Sequence, residues 1–270
     1  MAQGQTPNTV KRGFKLPPIV VIIVALIVSE LIFHLVFGDL SHFKDSLRKE
    51  PKPGDYIGII YKGGVIVPFL MTMFITVITF SIERWLTIGK AAGTGNLENF
   101  LRNVKAKLAG GDINGALAEC NKQKGSVANV VQAGLLKYAE MEKNMELEGE
   151  KKVLAIQQEV EESTALELPS LEQNLPILAT IASVGTLIAL LGTVIGMIKA
   201  FAALATSGSP DPAALASGIS EALINTALGI FTSALAIIFY NLFTSKIDKL
   251  TYGIDEIGYS LSQSFASRKH

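Results

Sequence analysis

Four apolar blocks dominate the pattern along the chain: Ile19–Phe37, Val65–Ile82, Ile177–Leu204 and Ile219–Phe243. A hydrocarbon core of roughly 30 Å needs about 20 helical residues, so each block predicts a membrane-spanning helix. The third block extends to about 42 Å at the helical rise and is expected to tilt or project beyond the bilayer. The predicted fold class is an all-α membrane protein with four transmembrane helices and a helical polar domain. The predicted segments are a tail at 1–18, helix 19–37, an outer segment 38–64, helix 65–82, a helical domain 83–176, helix 177–204, a short loop 205–218, helix 219–243 and a tail at 244–270.

The last two blocks carry stripes of small and hydroxyl residues. In one, Ala182, Thr186, Ala189, Thr193, Gly196 and Ala200 recur at steps of four and three; in the other, Ala222, Thr226, Gly229, Ser233 and Ala236 do the same. Such steps keep residues on one helix face. In lipid that face should meet protein or water, because small residues allow close approach and hydroxyls need partners. Gly192 and Gly196 form a G-x-x-x-G pair that suits close helix packing. Residues 177–198 and 222–243 contain Thr186, Thr193, Thr226, Thr232 and Ser233 but no Asp, Glu, His or Lys. Hydroxyls can bond water or a carboxylate but do not exchange protons near neutral pH, so a proton relay here needs an acid from another chain. Lys199 and Glu221 lie toward the outer helix ends. Lys199 is expected to snorkel outward. Glu221 suits a solvated helix start.

Charge adds orientation. The segments 1–18, 83–176 and 244–270 carry 18 Lys and Arg, against five in 38–64 and none in 205–218. This bias predicts cytoplasmic termini and a cytoplasmic middle domain, with Arg84 and Lys90 as its most informative charges. Lys11, Arg12 and Lys15 precede the first block as in a secretory leader. That run is long, however, and Phe37-Gly38-Asp39 is a poor cleavage site, so it is read as a retained span. Lys+Arg and Asp+Glu balance at 24 each, which gives no global signal for nucleic acid, and Cys120 is the single cysteine, so no intrachain disulfide can form.

Residues 38–63 read as a short surface helix stopped by Pro51, Pro53 and Gly54. In the polar domain, Leu97, Phe100, Leu101, Val104 and Leu108 mark one amphipathic helix, and Val127–Met141 another. Asp112 is an N-cap for Ile113–Cys120. Glu146–Leu168, with Val153, Ile156, Val160 and Leu166 at helical spacing, either ends separately or runs on into the third span. Pro169 and Pro176 require at least a kink there. Glu30 and His34, one turn apart in the first block, could pair. Glu83-Arg84 reads as an interfacial anchor, or as a point where the polar domain docks.

Leu191-Gly192-Thr193-Val194-Ile195-Gly196-Met197-Ile198, followed by Ser220-Glu221-Ala222-Leu223-Ile224-Asn225-Thr226-Ala227-Leu228-Gly229 and Tyr240-Asn241, resembles the MotA/TolQ/ExbB proton-channel family, specifically its ExbB/TolQ branch. The match is clear over about 176–245 and weaker over about 65–175. Family members often have Ala-Pro and Gly-Leu where this chain has Gly185-Thr186 and Ala189-Leu190. The family core has three spans; the first span here is additional. The resemblance implies a multi-pass protein of the bacterial inner membrane. It implies five copies around two helices of a single-span ExbD-like or TolR-like partner, whose aspartate carries the proton, with a TonB-like protein energised in turn. It also maps pore-lining roles to Thr193 and Thr226, and a coupling or partner-contact role to Glu221. Thr186, Ala189, Gly196, Ala222, Gly229 and Ser233 become secondary stripe positions. The back-bonding typical of threonines in membrane helices is the alternative for each hydroxyl.

Other classes fare worse. There is no H-E-x-x-H, G-x-S-x-G or P-loop, and His34, His42 and His270 have no metal-ligand spacing, so neither an enzyme nor a cofactor or metal is expected. A solute transporter would show repeated halves, which are absent. TolQ-like and gliding or flagellar stator roles remain alternatives to an ExbB-like one.

Overall fold

The computed structural model describes residues 17–45, 47, 50–205 and 212–268. The expected tail at 1–16, the charges at Arg48, Lys49 and Lys269, and loop residues 206–211 lie outside the described residues. The described chain is helical throughout: α1 (Pro18–Leu31, continued by a π-helical turn Ile32–Phe37), a 3-10 turn Leu40–His42, α2 (Tyr56–Tyr61), α3 (Ile66–Ala92), α4 (Leu97–Ala109), α5 (Ile113–Gln123), α6 (Gly125–Lys143), α7 (Gly149–Glu172), α8 (Leu175–Ala205) and α9 (Pro212–Ser267). Among the described residues, four helical segments, containing α1, α3, α8 and α9, are long and apolar enough to cross a membrane. The chain divides into two compact units, Met1–Ile78 with Ile181–Ala234, and Thr79–Thr180 with Leu235–His270.

In the first unit, α1 presents Ala25, Ser29 and Phe33 inward at steps of four, while Ile19, Ile23, Ile27 and Leu31 are exposed. Ser29 Oγ donates to the Pro68 carbonyl of α3 at 2.9 Å, so the additional helix is fixed to the core by a polar contact as well as by packing. Glu30 and His34 approach to 3.4 Å, but both side chains stay largely exposed, so this is not a buried pair. The expected surface helix after residue 38 is absent from the described residues. Phe43 instead bridges to Pro51, and the helix follows the proline-glycine turn, at α2. The reason is Asp55: its carboxylate accepts from Ile57 N and Gly58 N and caps α2. His42 Nδ1 stands 2.8 Å from Asp55 Oδ2, and this hydrogen bond, with those from the α2 backbone, holds the Asp55 carboxyl below its ordinary range. Phe33 and Phe43 pack on Tyr61 with ring centroids 4.7 and 5.6 Å away.

The second unit is a helical bundle around the C-terminal half of α9. Phe100, Leu101, Val104 and Leu108 of α4 are buried as the periodicity requires, and Asp112 caps α5 by accepting from Gly115 N at 2.8 Å. Ile156 and Val160 of α7 are buried, but Leu166 is 82% exposed and falls off the stripe. The tail expected after residue 243 is helix to Ser267. Its Phe243, Ile247, Leu250, Ile254, Ile257, Leu261 and Phe265 form the core of this unit. Helix α7 does not run on into α8. The break falls at Gln173-Asn174, where Asn174 takes a left-handed conformation (φ 69°), and Pro169 is accommodated inside α7.

Arg84 is the largest surprise in this unit. Its side chain is fully buried, and Nη1 donates to the carbonyls of Ser170 and Leu171 at 3.0 and 2.9 Å, which fits the docking alternative rather than a solvated anchor. These are carbonyls of the last turn of α7, which a helix end leaves without partners. Glu83 holds the same guanidinium through Nε at 2.5 Å and through Nη2, and accepts from Asn174 Nδ2 at 3.2 Å. Cys120 is buried in α5, and burial, with the nearby Glu119 charge, pushes its thiol up to about 12. Cys120 is therefore expected to resist maleimide at neutral pH in the folded protein and to react fully after unfolding. Labelling followed by mass spectrometry checks this, and rapid labelling of the folded protein would contradict it.

Candidate functional site

The two striped helices pack against each other in the first unit, in antiparallel register. A Cβ on Gly185 would meet Ser233, one on Gly192 would meet Asn225, and one on Gly196 would meet Ala222; in the reverse direction, Gly229 abuts Ala189 and Gly218 abuts Ala200. The stripe is thus the seam between α8 and α9, where small residues let the backbones approach. Ala189, Gly196, Ala222, Gly229 and Ser233 are buried in it, and Thr186, Thr193 and Thr226 are half-buried. The outward faces carry exposed Leu187, Leu191, Val194, Ile198, Leu223 and Ile230.

Within the seam the structure brings Thr193 and Thr226 together. Their hydroxyls are hydrogen-bonded to each other, and each also lies 3.0 Å from the carbonyl one turn back, Ala189 O and Ala222 O respectively. The back-bonding expected as the alternative is therefore present at both threonines, and the two hydroxyls also form a joined polar point between two apolar helices. Two hydroxyls have two hydrogens for these three contacts, so the pair can be arranged in either direction. Ser233 Oγ reaches toward Ile181 O at 3.5 Å.

Toward one end of the seam, Glu221 is buried and Lys199 does not simply snorkel. Lys199 Nζ donates to Glu221 Oε1 at 2.6 Å, with the lysine side chain 53% exposed and the glutamate 10%. The glutamate also sits against the turn that leads into α3. Gly64 there has φ 73°, and a Cβ on it would fall 2.6 Å from Glu221 Oε1. Glycine at 64 thus serves both the backbone conformation and the seat of the carboxylate. The expectation for Lys199 misses this pairing because the two residues lie 22 apart in sequence and meet only through the helix register.

One further residue is buried here: Asn225, one helical turn beyond Glu221, is fully buried against Gly192. Its sequence signal is an amide in the middle of an apolar helix, which is costly unless partnered.

The described residues thus form an all-helical, multi-pass membrane protein in which α8 and α9 join through small and hydroxyl residues. Its sequence matches the MotA/TolQ/ExbB proton channel family over residues 123–256. It is 27% identical over 207 residues to the Tol-Pal system protein TolQ of Pseudomonas aeruginosa, spanning 71% of this chain and 84% of that protein. It is 40% identical over 109 residues to TolQ of Haemophilus influenzae, spanning 38% of this chain and 48% of that protein. It is 29% identical over 169 residues to the biopolymer transport protein ExbB of Pseudomonas putida, spanning 62% of this chain and 51% of that protein. The matches to these last two relatives thus span about half of their length. Residues 123–256 are thus a domain of the MotA/TolQ/ExbB proton channel family, on the side of its ExbB and TolQ members, and the relatives it matches are channel-type subunits rather than enzymes.

Proposed function

We propose that this chain is an ExbB-like subunit of a proton-driven motor in the bacterial inner membrane, with both termini cytoplasmic. In this reading five copies surround the helices of an ExbD-like or TolR-like single-span protein. That partner supplies the proton-carrying aspartate, and the complex energises a TonB-like protein for outer-membrane transport. The observation that carries the reading is the Thr193–Thr226 hydroxyl pair in helices that hold no acid of their own between 177 and 198 or between 222 and 243. A hydroxyl lining of this kind can solvate a carboxylate but cannot itself carry a proton. A TolQ-like role in the Tol-Pal system is the second reading, favoured by the alignment that spans 84% of a TolQ protein. Neighbouring genes separate the two: tonB-like and exbD-like genes on one side, tolA-like, tolB-like and pal-like genes on the other.

The test is purification of the chain with and without a co-expressed ExbD-like or TolR-like protein, followed by native mass and proton flux into vesicles. A stable complex that conducts only with the partner is expected. Conduction by the chain alone would overturn the reading. Glu221 enters as the coupling or partner-contact residue. Glu221→Ala leaves Lys199 without its counter-ion, and Lys199→Ala leaves a buried carboxylate without its cation. A charged hydrogen bond of this kind is worth roughly 1.5–3 kcal/mol. Both variants are expected to lose partner co-purification or proton-driven activity by about tenfold or more. Full activity with unchanged co-purification would remove both roles.

A further inference from the structure

Asn225 is fully buried, and neither its amide oxygen nor its amide nitrogen has a hydrogen-bond partner among the described residues. It lies in the α8–α9 seam with its amide on Gly192, where an added Cβ would fall 2.7 Å from Asn225 Cβ and 2.9 Å from Cγ and Nδ2. A buried polar group left in this state is costly, and such groups are normally satisfied by an ordered solvent molecule or ligand.

The chemistry of the amide selects the ligand. It offers N–H donors and a carbonyl acceptor, and neither end is matched by a protein group among the described residues. A cation would satisfy only the oxygen and an anion only the nitrogen. What fits is a small neutral species that donates and accepts together. We infer that Asn225 binds an internal water in the α8–α9 seam, with Gly192 keeping the space that the amide itself occupies. The neighbouring residues point the same way. Thr193 follows Gly192 and Thr226 follows Asn225, and this hydroxyl pair is one hydrogen short of its three contacts. A water beside it brings two hydrogens.

The test is solid-state NMR on the full-length, 15N-labelled chain in lipid bilayers, reading magnetisation transfer from water to side-chain amides. The Asn225 signal is identified by its absence in Asn225→Leu, or by sequential assignment should that variant fail to fold. Transfer from water to Asn225 Nδ2 is expected in the chain alone, although the residue is closed to bulk solvent, and it is expected to be lost in Gly192→Ala. An Asn225 signal that receives nothing from water would overturn the inference. So would transfer unchanged by Gly192→Ala, or transfer that appears only when a partner protein is present. The experiment detects the water whether or not the protein conducts protons, so its failure is separate from any failure of the proposed function.

Discussion

Arg84→Ala is expected to lower the melting temperature of the protein by roughly 10 °C. The arginine is fully buried and forms four contacts with one planar group: two to Glu83 and one each to the carbonyls of Ser170 and Leu171. Removing the buried arginine costs about 3 kcal/mol, the low end for a buried charged pair, because the α7 carbonyls lose their donor while the partly exposed Glu83 carboxylate keeps some water. The two α7 carbonyls would be left open at a helix end. Asn174, which also bonds Glu83, would lose the fixed carboxylate that helps hold its left-handed turn. Arg84→Lys should recover only part of the loss, since an ammonium cannot reach two carbonyls and a bidentate carboxylate at once. The probe is at hand: the single tryptophan, Trp85, lies next in sequence with Lys246 Nζ 3.8 Å over its ring. Its fluorescence through a thermal ramp reads the transition. A melting temperature unchanged by Arg84→Ala would show that the cluster does not hold α7.

What is legible in the sequence follows the reach of the interactions. The four apolar blocks predict four long helices correctly because hydropathy and length are local properties, and the same holds for the α4 stripe and the Asp112 cap. The C-terminal half of α9 is legible too, in the three- and four-residue steps of Phe243, Ile247, Leu250, Ile254, Ile257, Leu261 and Phe265. Hydropathy alone misses it, because Lys246, Asp248 and Lys249 end the membrane-like run while the amphipathic stripe continues. The α7–α8 break lies away from the prolines for a related reason. Proline removes only one donor and can sit inside a helix, whereas the left-handed Asn174 stops it outright. In the seam, the stripes identify the right helix faces, yet sequence spacing carries no register between helices. The meeting of Thr193 with Thr226, of Lys199 with Glu221 and of Asn225 with Gly192 depends on that register alone.

Thr226→Val is expected to abolish proton-driven activity while leaving assembly intact, a consequence of the function proposed above. Valine keeps the branched shape and nearly the volume of threonine, so the seam between α8 and α9 can still close. It removes the hydroxyl that meets Thr193 Oγ1 and lies 3.0 Å from Ala222 O. The structural cost is the net worth of an ordinary hydrogen bond, about 0.5–1.5 kcal/mol, too little to unfold a packed helix pair. The functional cost is larger because it falls on a charged species. Placing an ionised carboxylate at mid-membrane costs roughly 2.5–3.5 kcal/mol, and 100 mV supplies about 2.3 kcal/mol per proton. With terms so closely matched, losing one solvating hydroxyl from each subunit tips the balance against ionisation. Thr193→Val should impair activity less, since the Thr226 hydroxyl and its contact with Ala222 O survive. Thr226→Ser, which restores the oxygen without the methyl, should recover most of the flux. Proton uptake by vesicles under an imposed potential, measured beside native mass, separates the outcomes. Normal flux in Thr226→Val would mean that the hydroxyl pair only packs the helices, and a missing complex would mean that it is needed for assembly instead.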